Sequence, residues 1–284
     1  MSASVPKFLN RNPWVRPLLI ALVLTYWIVL VFAPIFYLFM AAFSKGLGTF
    51  VNVLSNAQVL HAFGLTFLLS GGAVVLNTVF GLAIAWVLVR HDFPGRRFLN
   101  ALVDLPFAVS PVVAGYMLIL LFGRMGWFHG FLEATGLKIV FSFWGMLLAT
   151  TFVSLPFVIR EVMPVLQEIG FEQDQAAHTL GASEWQTFWR VTLPSIRWGL
   201  FYGITLTFAR AMGEFGALLV VGGAVVGETE TATLYVYRAM DERLYLPAYA
   251  VSVLLALVSF LVLIVLEVLK KRMKSQTLLP GNLK

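Results

Sequence analysis

A run of 26 residues without a charged side chain, Leu18 to Phe43, limits what this 284-residue chain can fold into. A helix needs about 20 apolar residues to cross the hydrocarbon core of a membrane. In lipid the backbone must satisfy its own hydrogen bonds, so spanning segments are helices or closed barrels. Only 12% of the residues are charged and 60% are hydrophobic, whereas soluble domains are about 25% charged. The sequence therefore predicts an all-α, polytopic membrane protein.

The first apolar run is interpreted as an uncleaved spanning helix. A secretory signal has a shorter apolar core and a small-residue cleavage site, whereas this run ends in Ala-Ala-Phe-Ser-Lys. Pro34 is expected to kink the helix without ending it, because membrane helices tolerate proline. With five further apolar segments, the predicted spans are 18–43, 65–89, 106–122, 143–159, 198–226 and 248–266.

Lysine and arginine are distributed unevenly between the two sides of this six-span layout. One side carries 14 of the 20 basic residues and the other carries five, while Arg210 lies inside a span. Basic residues accumulate on the cytoplasmic side of membrane proteins, so both termini are predicted to be cytoplasmic. The predicted domain organisation is a tail, a membrane domain with a cytoplasmic coupling loop, and a second tail. These parts cover residues 1–17, 18–269 with the loop at 164–197, and 270–284.

The loop between spans four and five is predicted to form two short helices joined at a glycine. Gln173 to Leu180 contains good helix formers and neither glycine nor proline. Gly181 suits the left-handed position that follows a helix. Ser183 and Gln186 have the spacing of a capping box, which predicts a second helix start, and Pro194 is predicted to end that helix. A bent helix pair of this kind can dock into a groove on a cytoplasmic partner.

The same loop resembles the coupling motif of ABC-importer permeases. The matching residues are Gln175-Ala-Ala-x-x-x-Gly181 and, after nine more residues, Val191-x-Leu193-Pro194. The family pattern usually has glutamate in place of Gln175 and isoleucine in place of Val191. The resemblance implies the type I ABC importer permease fold, with this loop in contact with an ATPase. The contact residues that it implies are Asp174, Gln175, Ala176, Ala177, Leu180 and Gly181.

Three further stretches narrow the resemblance to permeases for tetrahedral oxyanions. Ala209 to Ala217 resembles a signature of sulfate, thiosulfate and molybdate permeases, and Leu105 to Gly115 resembles their third-span segment. Gly227 to Arg243 is most similar to the second of two paired sulfate permease subunits. The implied function is that of a permease subunit in a sulfate/thiosulfate importer, with a molybdate or tungstate permease as the alternative. An ion-coupled secondary transporter or a membrane scaffold is a more distant alternative.

The resemblance also implies that this chain is not an enzyme and holds no cofactor or metal itself. ATP and Mg²⁺ would be used by a dimer of separate, cytoplasmic ABC ATPase subunits. The segment Gly222 to Thr229 has the glycine spacing of a phosphate loop, but Glu228 replaces the lysine that would meet the phosphates. The other implied partners are a second, homologous permease, a periplasmic or extracellular oxyanion-binding protein, and the lipids of a bacterial cytoplasmic membrane. The cytoplasmic loops account for the basic charge, so no nucleic-acid partner is predicted.

Polar and small residues inside the spans are candidates for lining the translocation pathway. Arg210 and Glu214 are four residues apart and therefore share one helix face. They are interpreted either as a mutual ion pair that holds span five, or as a site where Arg210 attracts the dianion and Glu214 restrains it. In span three, Ser110, Pro111 and Gly115 either expose backbone donors to the oxyanion or form a packing kink.

Two helix features carry further expectations about packing. The third span is expected to begin near Pro106 and to bend near Pro111. In span five, Gly199 and Gly203 form a small-residue motif that permits close helix contact. Contact with a paired permease through this motif would favour a pathway shared between two subunits.

Overall fold

A computed structural model describes residues 14–277, with side chains described for residues 14–271. Every regular element among these residues is a helix, which confirms the predicted all-α class. The helices are α1 (Val15–Ala42), α2 (Leu47–Leu54), α3 (Ala57–Arg90), α4 (Arg96–Val103), α5 (Leu105–Ala108), α6 (Pro111–Phe122), α7 (His129–Thr135), α8 (Phe143–Ile169), α9 (Glu172–Thr179), α10 (Glu184–Met212), α11 (Gly216–Gly222), α12 (Ala232–Asp241) and α13 (Tyr245–Thr277). Residues 1–13 of the predicted N-terminal tail and 278–284 of the predicted C-terminal tail lie outside the described residues.

Within the described part of the chain, four helices are long and apolar enough to cross a membrane: α1, α3, α8 and α13. A fifth span is obtained if the bent pair α10–α11 is counted as one. The region predicted as span three contains α5 and the 12-residue helix α6. At 1.5 Å per residue, α6 is about 18 Å long, which is short of the ~30 Å hydrocarbon core. The break before α6, at Val109 and Ser110, lies where a bend near Pro111 was predicted.

The predicted fifth span, 198–226, is broken between α10 and α11, where the axis bends by 59°. The Glu214 carboxylate accepts a hydrogen bond from the Ala217 N–H at 3.0 Å, in the first turn of α11. The Thr233 hydroxyl donates to the Glu214 carbonyl at 2.8 Å. These bonds satisfy backbone groups that a helix end leaves unpaired. The residues predicted as the fifth span therefore form two helices at an angle.

The coupling loop predicted at 164–197 is shorter in the structure, because the helices on both sides extend into it. Helix α8 continues past the predicted end of span four to Ile169 and stops at Gly170. Arg160 and Glu161 end the apolar stretch, but they do not end the helix. Only residues 170–183 lie between α8 and α10.

Pro34 and Pro194, which were expected to kink or end a helix, each follow a widened turn. A π-helical turn at Phe188–Thr192 precedes Pro194 inside α10, and another at Ile28–Phe32 precedes Pro34 inside α1. A π turn shifts the hydrogen bonding by one residue, which accommodates a residue that has no N–H to donate. Pro194 therefore does not end a helix, and the prediction that it would was wrong.

Helices α3, α8 and α10 form the centre of the bundle. Gly81 of α3 and Gly203 of α10 both lie against α8 at Val158, where an added Cβ would be 3.2 Å and 3.1 Å from that residue. Gly199 likewise lies against Val165 of α8. The motif of Gly199 and Gly203, which was considered for contact with a second permease, thus packs against a helix of its own chain.

Candidate functional site

The elbow, defined as residues 170–183, contains α9 between two glycine joints. The backbone φ is +68° at Gly170 and +84° at Gly181, in the left-handed region that other residues resist. A Cβ added to either glycine would meet no atom within 4 Å. These two positions therefore need glycine for its backbone conformation and not for space. Gly181 has the conformation that was predicted for it.

The start of α10 has the predicted capping box. The Gln186 N–H donates to Ser183 Oγ at 3.3 Å, and the Ser183 N–H donates to Gln186 Oε1 at 3.0 Å. The first predicted helix, Gln173 to Leu180, corresponds to α9, with Leu180 as its C-cap. The elbow is thus followed by a helix whose first turn has a defined start.

The residues proposed for ATPase contact do not all face outward. Leu180 is 89% exposed, and Gln175 and Ala176 are also exposed, while Ala177 is half-buried. The Asp174 side chain is only 13% exposed because it points toward the helix bundle. Among the residues proposed for ATPase contact, the outward side chains are therefore the uncharged Gln175 and Ala176 and the protruding Leu180.

Asp174 is held by a cluster that we call the Arg90 bracket: Arg90, Asp174, Thr192, Gly170 and Phe171. Arg90 lies at the end of α3 with its side chain 5% exposed, and its Nη2 is 2.8 Å from Asp174 Oδ2. Its Nη1 donates to the Gly170 carbonyl, and its guanidinium lies 4.5 Å from the centre of the Phe171 ring. The Thr192 hydroxyl donates to Asp174 Oδ1 at 2.9 Å. One carboxylate thus joins α3, the elbow and α10.

A second arginine joins helices at the same end of the bundle. Arg160 of α8 contacts Asp104 through two hydrogen bonds, Nε to Oδ1 at 2.7 Å and Nη2 to Oδ2 at 2.6 Å. It also donates to the Asn100 side chain and carbonyl, both at 2.9 Å. From the sequence, Arg90 and Arg160 were considered only as part of the uneven distribution of basic residues. The sequence feature that could have indicated their role is the position of each arginine at the boundary of an apolar run.

Arg210 and Glu214 form the ion pair that was one of their two interpretations. Arg210 Nη1 is 2.6 Å from Glu214 Oε2, and the side chains are 31% and 2% exposed. The other oxygen, Glu214 Oε1, accepts the Ala217 N–H. The pair therefore bridges the interruption between α10 and α11, and part of the Arg210 guanidinium remains accessible.

The other pathway candidates lie at the break before α6. Gly115 is buried against α11, where an added Cβ would be 2.7 Å from the Ala217 carbonyl oxygen. Pro111 is partly buried and lies near Gly216, the first residue of α11. The structure thus brings the two helix breaks together and uses Pro111 and Gly115 for packing. Ser110 remains exposed at the start of α6.

At the opposite end of the bundle, Arg238 of α12 holds two carboxylates. Its Nε is 2.6 Å from Glu230 Oε1, and its Nη1 is 3.0 Å from Glu242 Oε2. The hydrogen bonds that Arg238 donates to Glu230 raise the pKa of Arg238 above its ordinary value. Glu230, whose side chain is 1% exposed, is therefore buried in this cluster and does not form an outward-facing acidic surface.

Comparison with known proteins places this arrangement among transport permeases. Residues 77–275 match the model of the family described as "Binding-protein-dependent transport system inner membrane component". The chain is 48% identical over 258 residues, 91% of its length and 94% of the relative's, to the "Sulfate transport system permease protein CysW" of Synechocystis. It is 39% identical over 245 residues, 86% of its length and 88% of the relative's, to the permease CysT of Synechococcus elongatus.

The fold is similar to that of a solved transporter of another substrate class. A chain of the bacterial alginate ABC transporter, solved in complex with an alginate-bound periplasmic protein, superposes with a TM-score of 0.73. The superposition covers 92% of this chain and 95% of that one at 18% sequence identity. It therefore shows a shared fold.

Proposed function

Because the chain belongs to the family of inner membrane components of binding-protein-dependent transport systems, we propose that it is a permease subunit of a sulfate importer. The observation that carries the proposal is the 48% identity to a CysW permease over 91% of the chain. The identity to the CysT relative is lower, at 39%. This difference supports the proposal that the chain is the CysW-type subunit of a pair of two different permeases. Thiosulfate is included as a substrate because it is also a tetrahedral dianion.

The permease would be driven by ATPase subunits that bind at the elbow. Leu180, Gln175 and Ala176 present an exposed, uncharged surface, which is suited to insertion into a groove of another protein. The 14 basic residues on the elbow's side support a cytoplasmic location for this surface. In this orientation the broken helices α6 and α10–α11 would be the third and fifth of six crossings, with both termini in the cytoplasm.

The substrate would pass close to the break that Arg210 and Glu214 close. The guanidinium is 31% exposed, so it can attract an anion. The paired carboxylate lowers that attraction, and translocation requires a site weak enough to release its ion. Ser110, at the other break, is a second exposed polar group.

Two further proteins would complete the transporter on its membrane and outer sides. A second permease would supply the other wall of the pathway, and a periplasmic protein would deliver the dianion. The alginate transporter of the same fold was solved in complex with an alginate-bound periplasmic protein. That complex supports a corresponding delivery step for the permease described here.

Uptake by the complete transporter tests the proposed function. The chain is purified with its second permease and ATPase subunits and reconstituted in proteoliposomes with the binding protein on the outer side. We expect ATP-dependent uptake of radiolabelled sulfate that unlabelled thiosulfate inhibits more strongly than molybdate or tungstate. If molybdate is taken up and excess sulfate does not inhibit this uptake, the substrate is molybdate and the proposal of sulfate is refuted. Absence of a copurifying ATPase would favour a secondary transporter or a scaffold.

A further inference from the structure

The chain connection between α8 and the elbow at Gly170 does not by itself pass a movement of α9 to the membrane helices. Helix α9 is joined to α8 through Gly170 and to α10 by a segment that contains Gly181, and both glycines are in the left-handed region. No atom lies within 4 Å of the Cβ positions at either joint. The Gly181 joint is held by hydrogen bonds from the Gly181 and Ala182 N–H groups to carbonyls of α9, so a displacement of α9 can be absorbed by backbone rotation at Gly170. Rigid transmission to the helices before the elbow requires contacts that bypass Gly170.

The Arg90 bracket supplies such contacts. Asp174, in the first turn of α9, forms an ion pair with Arg90 through one oxygen at 2.8 Å and accepts a hydrogen bond from Thr192 on the other at 2.9 Å. Arg90 also holds the carbonyl of Gly170 and covers the Phe171 ring, which fixes the start of α9. Both charged side chains are largely withdrawn from water, at 5% and 13% exposure. A pair in this setting is weakened little by salt, and removal of one partner leaves the other charge partly buried without its counterion.

We infer that Arg90 is a positioning residue for coupling: it fastens α9 to the end of α3, so that α3 and α9 move as one body when the ATPase subunits displace the elbow. Because α3 packs against α8 and α10 in the centre of the bundle, the bracket delivers the movement directly to the central helices, including α10, which carries Arg210. The inference rests on the proposed function, since it assigns a route to the coupling that this function requires. The inference gives the residues of α9 two different roles. The outward residues contact the ATPase, whereas Asp174 contacts the rest of the permease.

Uptake per ATP hydrolysed tests this role in the reconstituted transporter. Arg90→Ala and Asp174→Asn are each expected to lower the ratio by about tenfold or more while the ATPase subunits still copurify. The double variant should be no worse than either single one, because both remove the same interaction. Arg90→Lys, which keeps the charge but loses the forked geometry, should retain part of the coupling.

Arg97→Ala changes an exposed arginine beyond the end of α3 and serves as the matched control. Wild-type coupling in an assembled Arg90→Ala or Asp174→Asn transporter would overturn the inference.

A distance measurement keeps the test independent of the substrate. The chain contains no cysteine, so spin labels can be placed on cysteines introduced at His91, next to α3, and Thr179, at the end of α9; both residues are exposed. With the bracket intact, the distance distribution should be narrow and unchanged between nucleotide-free and ATP-bound transporter. Arg90→Lys and Asp174→Asn should broaden it, and equal widths in all three proteins would refute the bracket. The two proposals can fail separately. If sulfate is not taken up but the distance distribution still broadens in the two variants, only the proposed substrate is refuted.

Discussion

The elbow and the contact between α6 and α11 join helices in opposite ways. At the elbow, glycines serve as open joints, and the connection to the bundle depends on the charged Arg90 bracket. At the α6–α11 contact, Gly115 and Gly216 permit backbones to approach so closely that an added Cβ would meet its neighbours at 2.7 Å and 3.0 Å. The first arrangement can change angle without losing packing, whereas the second cannot. This difference suits a region that receives movement and a region that must keep its shape.

Ion pairs show the same contrast between the two ends of the bundle. Among the described residues, the pairs that join distant parts of the chain are Arg90–Asp174 and Arg160–Asp104, both at the elbow's end. Elsewhere the pairs are closer in sequence: Arg210–Glu214 and Arg238–Glu242 are four residues apart, and Arg238–Glu230 is eight residues apart. Long-range pairs tie separate helices together, while local pairs fix the shape of one turn or break. Ion pairs between residues distant in sequence therefore connect helices at the end of the bundle that carries the elbow.

The largest effect is expected at the ion pair that closes the break between α10 and α11. Arg210→Ala leaves the Glu214 carboxylate, 2% exposed, without its countercharge. Loss of one partner of a buried pair costs about 3–5 kcal/mol, so sulfate uptake should be abolished in proteoliposomes. An Arg210→Ala transporter that assembles and transports normally would show that this break does not depend on its charges.

A double variant distinguishes the two roles of this pair. Arg210→Met with Glu214→Gln removes both charges but retains an acceptor for the Ala217 N–H. Replacing a buried pair by uncharged groups of similar size is often nearly neutral for stability. Recovery of assembly and uptake would assign the pair to structure alone. Recovery of assembly without uptake would assign Arg210 to the anion.

An intermediate effect is expected where α6 meets α11. The Cβ of Gly115→Ala would be 2.7 Å from the Ala217 carbonyl oxygen, so the two helices must separate. Overpacking of this kind costs about 1–3 kcal/mol and should lower the thermal unfolding temperature of the assembled transporter. Gly71→Ala in α3 adds a Cβ that meets no atom within 4 Å and is the matched control. If both variants unfold at the wild-type temperature, the proposed rigidity of the α6–α11 contact is refuted.

The sequence predicts those features that depend on local patterns. Apolar runs predicted most of the long helices because lipid leaves the backbone few alternatives, and Ser183 with Gln186 predicted the start of α10. Charges were less informative about helix ends. Arg160 marks the end of an apolar stretch, but α8 continues beyond it because a charged residue can follow the helix out of the membrane.

The features that were missed depend on contacts between distant residues. Asp174 was predicted to face the ATPase because it adjoins the motif, but its orientation is set by Arg90, in another helix. The break at Glu214 is stabilised by Thr233 in a later segment. Thr233 is marked by no local pattern, and the position of Arg90 at the boundary of an apolar run does not identify Asp174 as its partner. The motif therefore located the elbow in the chain, whereas only the fold shows which of its side chains turn inward.

The smallest effect is expected at the elbow's second joint. Gly181→Ala places a Cβ in open space, so its cost comes from the left-handed backbone, about 1–2 kcal/mol. We expect a few-fold lower uptake per ATP with normal assembly, because strain changes the angle of α9 but leaves its packing intact. Gly181→Asn should be closer to wild type, since asparagine tolerates this conformation. Gly48→Ala, in helix α2 with similarly open space, is the control.

The order of these three substitutions decides what kind of joint Gly181 is. If only the backbone matters, uptake per ATP should fall in the order glycine, asparagine, alanine, and Gly48→Ala should match the wild type. If alanine and asparagine are equally harmful, added volume must disturb a bound ATPase subunit, and Gly181 would belong to the docking surface with Leu180. If neither substitution changes the ratio, the angle of the elbow is not critical. The stiffness of the elbow would then come from the Arg90 bracket and the other side-chain contacts of α9, such as Gln173 with Ser195.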